Sequence, residues 1–214
     1  VLTSITKNPS DVLEFTAGVV GPKSLAEQTQ KFIHKNISNS PTPQGWDNQL
    51  KFEPGVIVSW RRRWPVWYTQ NIGDFRLRVE PDINVSLGNV YTYAGTGAMV
   101  TFGPYKDRLQ DTPPRVRPAM PGTGFFDSDD NKFGWYLFTG VDGRAMARNI
   151  FLDGNSFRSS ASIDKNILVG DVNAGVALTY DDYRLSYTLN YRTKEFQGQD
   201  DPSVFGSVTL TTRF

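Results

Sequence analysis

Cysteine is absent from this sequence of 214 residues, which excludes disulfide crosslinks and thiol catalysis. Histidine occurs only once, so a metal site built from several imidazoles is excluded as well. No run of about 18 apolar residues occurs, so the sequence predicts no transmembrane helix. Neither sign of charge dominates, with 23 Lys and Arg against 22 Asp and Glu, which argues against binding nucleic acid through bulk charge.

The composition favours a single β-rich domain. The length suits one domain, which we predict to cover residues 1–214. Aromatic residues and glycine are abundant, with 14 Phe, 9 Tyr, 5 Trp and 19 Gly. The chain begins at Val1 rather than at methionine, which leaves open a removed leader or a larger N-terminal part.

Alternation of apolar and polar residues is the strongest pattern in the sequence. It runs through residues 75–87, 168–180 and 183–195, with a short turn at Asp181-Asp182 between the last two. Strands in soluble proteins are mostly about 5–6 residues long, whereas a strand that crosses a bilayer needs about 9–11. The sequence therefore predicts an all-β, antiparallel transmembrane β-barrel whose apolar faces contact lipid and whose polar faces line the interior. The alternative is a soluble sandwich with one solvated face.

The same pattern predicts about eight strands. The last of them ends in Phe214, which resembles the C-terminal signal of bacterial outer-membrane barrels. The predicted strands are 12–20, 50–63, 75–87, 90–102, 133–149, 167–180, 183–195 and 204–214.

One segment, 25–37, has helical rather than strand periodicity. Ser24 and Glu27 predict a capping box at its start, and its apolar side chains are expected to pack on the barrel or on a loop. His34 lies on the polar side, and Gln30 precedes it by one turn. His34 is a candidate general base, because histidine most often fills that role near neutral pH. A solvated surface histidine is the alternative.

Six segments of the chain resemble the lipid A 3′-O-deacylase family of the outer membrane. Together they extend from about Gly18 to the end of the chain, in the order of that family. They are Gly18–Pro22, Gln28–Lys35, Gly45–Leu50, Leu87–Tyr93, Pro114–Pro118 and Ile150–Asn155. The resemblance implies a barrel of twelve strands, of which this chain matches the C-terminal two-thirds, with one short helix in an extracellular loop.

The resemblance also implies a function. The family hydrolyses the ester that holds the 3′-linked acyloxyacyl group of lipid A, and it does so with calcium and a histidine that activates water. His34 matches that histidine, and Gln30 is expected to support it or to contact substrate. The calcium ligands stay unknown: residues 38–43 contain no acid, and Asp47 is the first after the helix. The implied partners are lipopolysaccharide and outer-membrane lipids.

Two other functions stay open on the residues alone. The first is a non-catalytic outer-membrane barrel that serves as a pore or an anchor. The second is a barrel lipase in which a serine nucleophile works with His34.

Overall fold

The structure is a computed structural model, and it describes residues 2–4, 9–38, 41, 44–104, 126 and 132–212. In this part of the chain an antiparallel sheet of ten strands curls into part of a barrel. The strands are β1 (Leu2–Ser4), β2 (Ser10–Val20), β3 (Glu53–Arg63), β4 (Tyr68–Ile72), β5 (Phe75–Gly88), β6 (Tyr91–Pro104), β7 (Phe133–Asn149), β8 (Leu168–Tyr180), β9 (Tyr183–Arg192) and β10 (Ser203–Thr212). The helices are α1 (Ala26–Ile33) and α2 (Ile150–Asp153).

All eight predicted strands are present, and the all-β antiparallel prediction is confirmed. β1 and β4 are additional strands that the alternation did not predict. Among the described residues, no helix has both the length and the apolar character needed to cross a membrane. The predicted segment Pro114–Pro118 and the terminal Phe214 lie outside the described residues.

Strand order follows chain order with one exception. Neighbours run β1-β2-β3-β5-β6-β7-β8-β9-β10, and β4 forms a hairpin with the first part of β5. The predicted turn between β8 and β9 is confirmed: it consists of Asp181 and Asp182, and Asp181 has a φ of 50°. The 21–52 loop, which contains α1, and the 150–167 loop, which contains α2, lie at the same end of the sheet. We call the second of them the α2 loop, and we call this end of the sheet the helix end.

The two faces of the sheet are inverted relative to a soluble protein. In β9 the polar residues are buried and the apolar residues are exposed: Arg184 is 0% exposed, whereas Leu185 is 46% exposed. β5 follows the same rule, with Asp82 buried and Leu87 exposed. This is the arrangement of a wall whose outer face contacts lipid, and it confirms the predicted orientation of the faces.

Charged pairs fill the interior of the sheet. Arg61 donates to Asp82 over 2.9 Å, and Arg192 donates to Asp171 over 2.8 Å. Near the helix end, apolar side chains replace the charged pairs and form a small core. They are Val20, Ile57, Val90, Tyr91, Tyr93, Met146 and Ile150. In the described part of the chain, side chains therefore fill the inner face of the sheet.

The inverted faces predict a depth-dependent effect of charge on the outer wall. Leu189 is 48% exposed near the middle of β9, so Leu189→Arg should destabilise the folded protein by about 2–4 kcal/mol. Leu168 is 75% exposed at the start of β8, so Leu168→Arg should cost only about 0–1 kcal/mol. Urea unfolding in lipid vesicles would measure both. Equal costs for the two variants would contradict a lipid-facing wall.

Candidate active site

α1 is joined to the end of β2 by a continuous hydrogen-bonded segment. A 3-10 turn, Pro22–Ser24, follows β2 almost directly, and Leu25 in the left-handed conformation connects this turn to α1. The Ser24 amide donates to the Gly21 carbonyl, and the Leu25 amide donates to the Pro22 carbonyl. The direction of α1 relative to the sheet therefore depends on how Gly21 is held.

The predicted capping box is wrong. Leu25 occupies the N-cap position, and the Ser24 hydroxyl lies 3.4 Å from the amide of Ala26 rather than near that of Glu27. The Glu27 carboxylate instead pairs with Lys31, one turn further along the helix. Because Leu25 is in the left-handed conformation, the helix begins one residue later than predicted. Glu27 is then the second residue of the helix instead of the third, so the capping-box spacing from Ser24 is lost.

The predicted packing of the apolar stripe is also wrong for the described residues. Leu25 is 59% exposed and Phe32 is 61% exposed, and α1 has no buried residue. The sheet therefore does not cover this stripe, and α1 presents an apolar surface outward.

His34 lies where α1 continues into a π-helical turn, His34–Ser38. Its ring is half-buried, and Nδ1 lies 2.9 Å from the carbonyl oxygen of Pro41. A carbonyl can only accept, so this contact requires a proton on Nδ1 and leaves the lone pair on Nε2. A neutral imidazole held in this way can accept a proton at Nε2.

Gln30 lies one turn before His34, and the backbone amide of His34 donates to its carbonyl oxygen. The side chain of Gln30 is exposed and forms no hydrogen bond to another described residue. The structure thus places the two predicted residues on one helix. The role of the Gln30 side chain stays a prediction.

The described residues do not form a calcium site. Within the described ranges, no group of three His, Asp or Glu side chains could hold a metal ion. Asp47 lies exposed in a 3-10 turn, Trp46–Asn48, and has no such neighbours.

The base of the 21–52 loop carries a cluster that sequence reasoning missed. Glu53 is the first residue of β3. It lies closer to the helix end than Val56, the first of the exposed apolar side chains of that strand. Glu53 is 3% exposed, and its carboxylate accepts hydrogen bonds from Asn89, from Asn155 and from the Ser156 amide. We call Glu53, Asn89 and Asn155 the loop clamp.

Hydrogen bonds dominate the electrostatics of the loop clamp. Burial alone would raise the pKa of the Glu53 carboxyl, but the bonds from Ser156, Asn155 and Asn89 outweigh burial and lower this pKa to about 2. Glu53 is therefore charged at any physiological pH and keeps its acceptor role. Asn89 and Asn155 each follow a glycine at a strand or helix end, and both lie in segments that resemble the family, Leu87–Tyr93 and Ile150–Asn155. Neither signal relates them to Glu53.

A curved antiparallel wall that is apolar outside and polar inside has the architecture of an outer-membrane β-barrel protein. The model of the LpxR family, described as outer membrane protein LpxR, matches residues 1–214, so the chain belongs to that family. This match confirms the family resemblance and the outer-membrane location that the sequence predicted.

A solved structure supports the fold. LpxR from Salmonella typhimurium is similar to this chain with a TM-score of 0.80 at 22% sequence identity. The match covers 99% of this chain and 70% of that protein. A search of the curated proteins found no match.

Proposed function

We propose that this protein is a carboxylic ester hydrolase that removes the 3′-linked acyloxyacyl group of lipid A, with His34 as its general base. Membership of the LpxR family supports the class of reaction. The observation that carries the proposal for the residue is the contact between His34 Nδ1 and the Pro41 carbonyl, 2.9 Å long, because it leaves Nε2 as the proton acceptor.

The proposed reaction is attack of water on the ester carbonyl. Nε2 of His34 takes a proton from the attacking water, which makes the oxygen nucleophilic. The resulting imidazolium keeps its Nδ1–H bonded to the Pro41 carbonyl, whose partial negative charge stabilises the new positive charge. Nε2 then returns the proton to the sugar oxygen as the bond between this oxygen and the acyl carbon breaks, which regenerates the neutral histidine. The fatty acid leaves as a carboxylic acid and loses its remaining proton to bulk water.

The outer surface of α1 suits an acylated substrate. Phe32 and Ile33 directly precede His34 and are 61% and 40% exposed. Acyl chains that contact this apolar surface beside the proposed base are removed from water, which is favourable. We place this helix on the extracellular side of the membrane, where lipid A lies.

Calcium stays a proposal that rests on the family resemblance. The described residues do not fit it, because they contain no suitable cluster of acidic side chains. Its ligands must then be sought outside the described residues, and the steps above use only His34 and the Pro41 carbonyl.

The two alternative functions find less support. Interior ion pairs such as Arg61–Asp82 occupy the space that a wide pore would need. A serine nucleophile would lie within hydrogen-bond reach of its base. Among the serines whose side chains the structure describes, none makes such a bond to His34.

Lipid A analysed by mass spectrometry tests the proposal. Cells that express the protein should contain lipid A that has lost the mass of the 3′-linked acyloxyacyl group, and a calcium chelator should prevent the loss. A fluorophosphonate probe should leave the protein unlabelled, because the proposed nucleophile is water. Unchanged lipid A would overturn the proposal, and labelling of the protein would favour the serine lipase.

A further inference from the structure

The two ends of the 21–52 loop meet at a close backbone contact. Gly21 has a φ of 88°, and a Cβ at this position would lie 2.6 Å from the Leu50 carbonyl oxygen and 2.7 Å from the Lys51 carbonyl carbon. Only glycine tolerates both this φ and this separation. The start of the loop therefore lies directly on Leu50 and Lys51, immediately before β3.

Asn155 holds the Lys51 backbone through two hydrogen bonds. Its Oδ1 accepts from the Lys51 amide over 2.9 Å, and its Nδ2 donates to the Lys51 carbonyl over 2.8 Å. The second Nδ2 hydrogen points to the Glu53 carboxylate, 3.1 Å away. All three hydrogen-bonding groups of the amide are used, so its orientation is fixed and it pairs with Lys51 as a neighbouring strand would.

Asn155 is itself held in place by the neighbouring loops. Arg148 donates to the Gly154 carbonyl over 2.9 Å and to the Ser156 hydroxyl over 2.8 Å, on either side of Asn155. The same guanidinium donates to the Asn89 carbonyl. The α2 loop and the β5–β6 turn thus form a rigid support for Asn155.

We infer that Asn155 is a positioning residue for His34: it fixes Lys51, Lys51 supports Gly21, and Gly21 sets the direction of α1. α1 has no buried residue of its own, so its position depends on this connection more than on packing. The effect of Asn155 on the rate of hydrolysis rests on the proposed function. Its effect on the position of α1 does not depend on that function. Misplacement of a catalytic group by about 1 Å can cost roughly 10²-fold in rate.

A distance measurement tests the geometric part. The chain has no cysteine, so Gln28→Cys on α1 and Val58→Cys on the outer face of β3 would carry a single pair of spin labels. Both side chains are exposed and neither belongs to the loop clamp. In vesicles, the distribution of distances between the two labels should be narrow when Asn155 is present. It should become broad when Asn155→Ala is added to the labelled protein.

Asn166→Ala is the matched control. Asn166 is also a half-buried asparagine of the α2 loop, and its Nδ2 donates to a backbone carbonyl, that of Lys194, over 2.8 Å. It has no bond to the described residues of the 21–52 loop. The distribution should stay narrow in this variant. Asn155→Asp is a second test, because it keeps the size and one acceptor but loses both donors and faces the Glu53 carboxylate; it should broaden the distribution too.

Activity measurements on the same variants separate the positioning role of Asn155 from the proposed deacylase function. If both hold, Asn155→Ala should lower the rate of lipid A deacylation by roughly 10²-fold with an unchanged urea midpoint of the barrel, and Asn166→Ala should not. A broad distribution in a protein that has no deacylase activity even before substitution would keep the positioning role and overturn the proposed function. An unchanged distribution in both Asn155 variants would overturn the positioning role, whatever the activity.

Discussion

His34→Asn is expected to slow the removal of the acyloxyacyl group by about 10²–10⁴-fold, the usual effect of losing a positioned base. Asparagine is close to histidine in size and can still donate to the Pro41 carbonyl, which His34 contacts over 2.9 Å. It has no nitrogen that can accept a proton in the place of Nε2. The barrel should therefore fold and insert normally while hydrolysis is lost. Mass spectrometry of lipid A over a time course gives the rate.

Lys35→Asn provides the control for His34→Asn. Lys35 is the next residue of the same π-helical turn, and its side chain is exposed. Its replacement should leave the rate close to that of the unchanged protein. Gln30→Ala should have a smaller effect than His34→Asn. Deacylation by His34→Asn at nearly the original rate would show that His34 is not the base.

The fold was predictable wherever one face of a strand differs from the other. β9 is the clearest case, because Leu185 and Arg184 assign the two faces without ambiguity. β4 was not predictable, since all five of its residues are exposed and its sequence has no alternation to detect. β1 is only three residues long, which is too short for a periodic pattern.

The candidate site was predictable only in part. His34 and Gln30 lie on one helix, so helical spacing was enough to relate them. The loop clamp joins residues that are far apart in the sequence: the bond from Asn89 to Glu53 spans 36 positions, and the bond from Asn155 spans 102. Such contacts depend on the strand order of the whole sheet, which local patterns do not specify.

Asp171→Ala is expected to destabilise the barrel by about 3–5 kcal/mol, because it would leave buried charges without a partner. Asp171 is 5% exposed and lies between two guanidinium groups. Arg192 donates to it over 2.8 Å and 3.0 Å, and Arg144 donates over 3.1 Å and 3.3 Å. Both arginines are themselves buried, so water cannot replace the lost carboxylate without opening the interior. The midpoint of urea unfolding in vesicles measures the effect.

Two comparison variants give this prediction its specificity. Glu27→Ala removes an exposed ion pair with Lys31 and should change stability by less than about 1 kcal/mol, since water solvates both partners. Asp171→Ala combined with Arg192→Leu removes a buried positive charge together with the negative one, while Arg144 keeps its second partner, Asp142. The double variant should therefore be more stable than Asp171→Ala alone. If Asp171→Ala costs no more than Glu27→Ala, the interior of the barrel is hydrated, and the ion pairs do not close it.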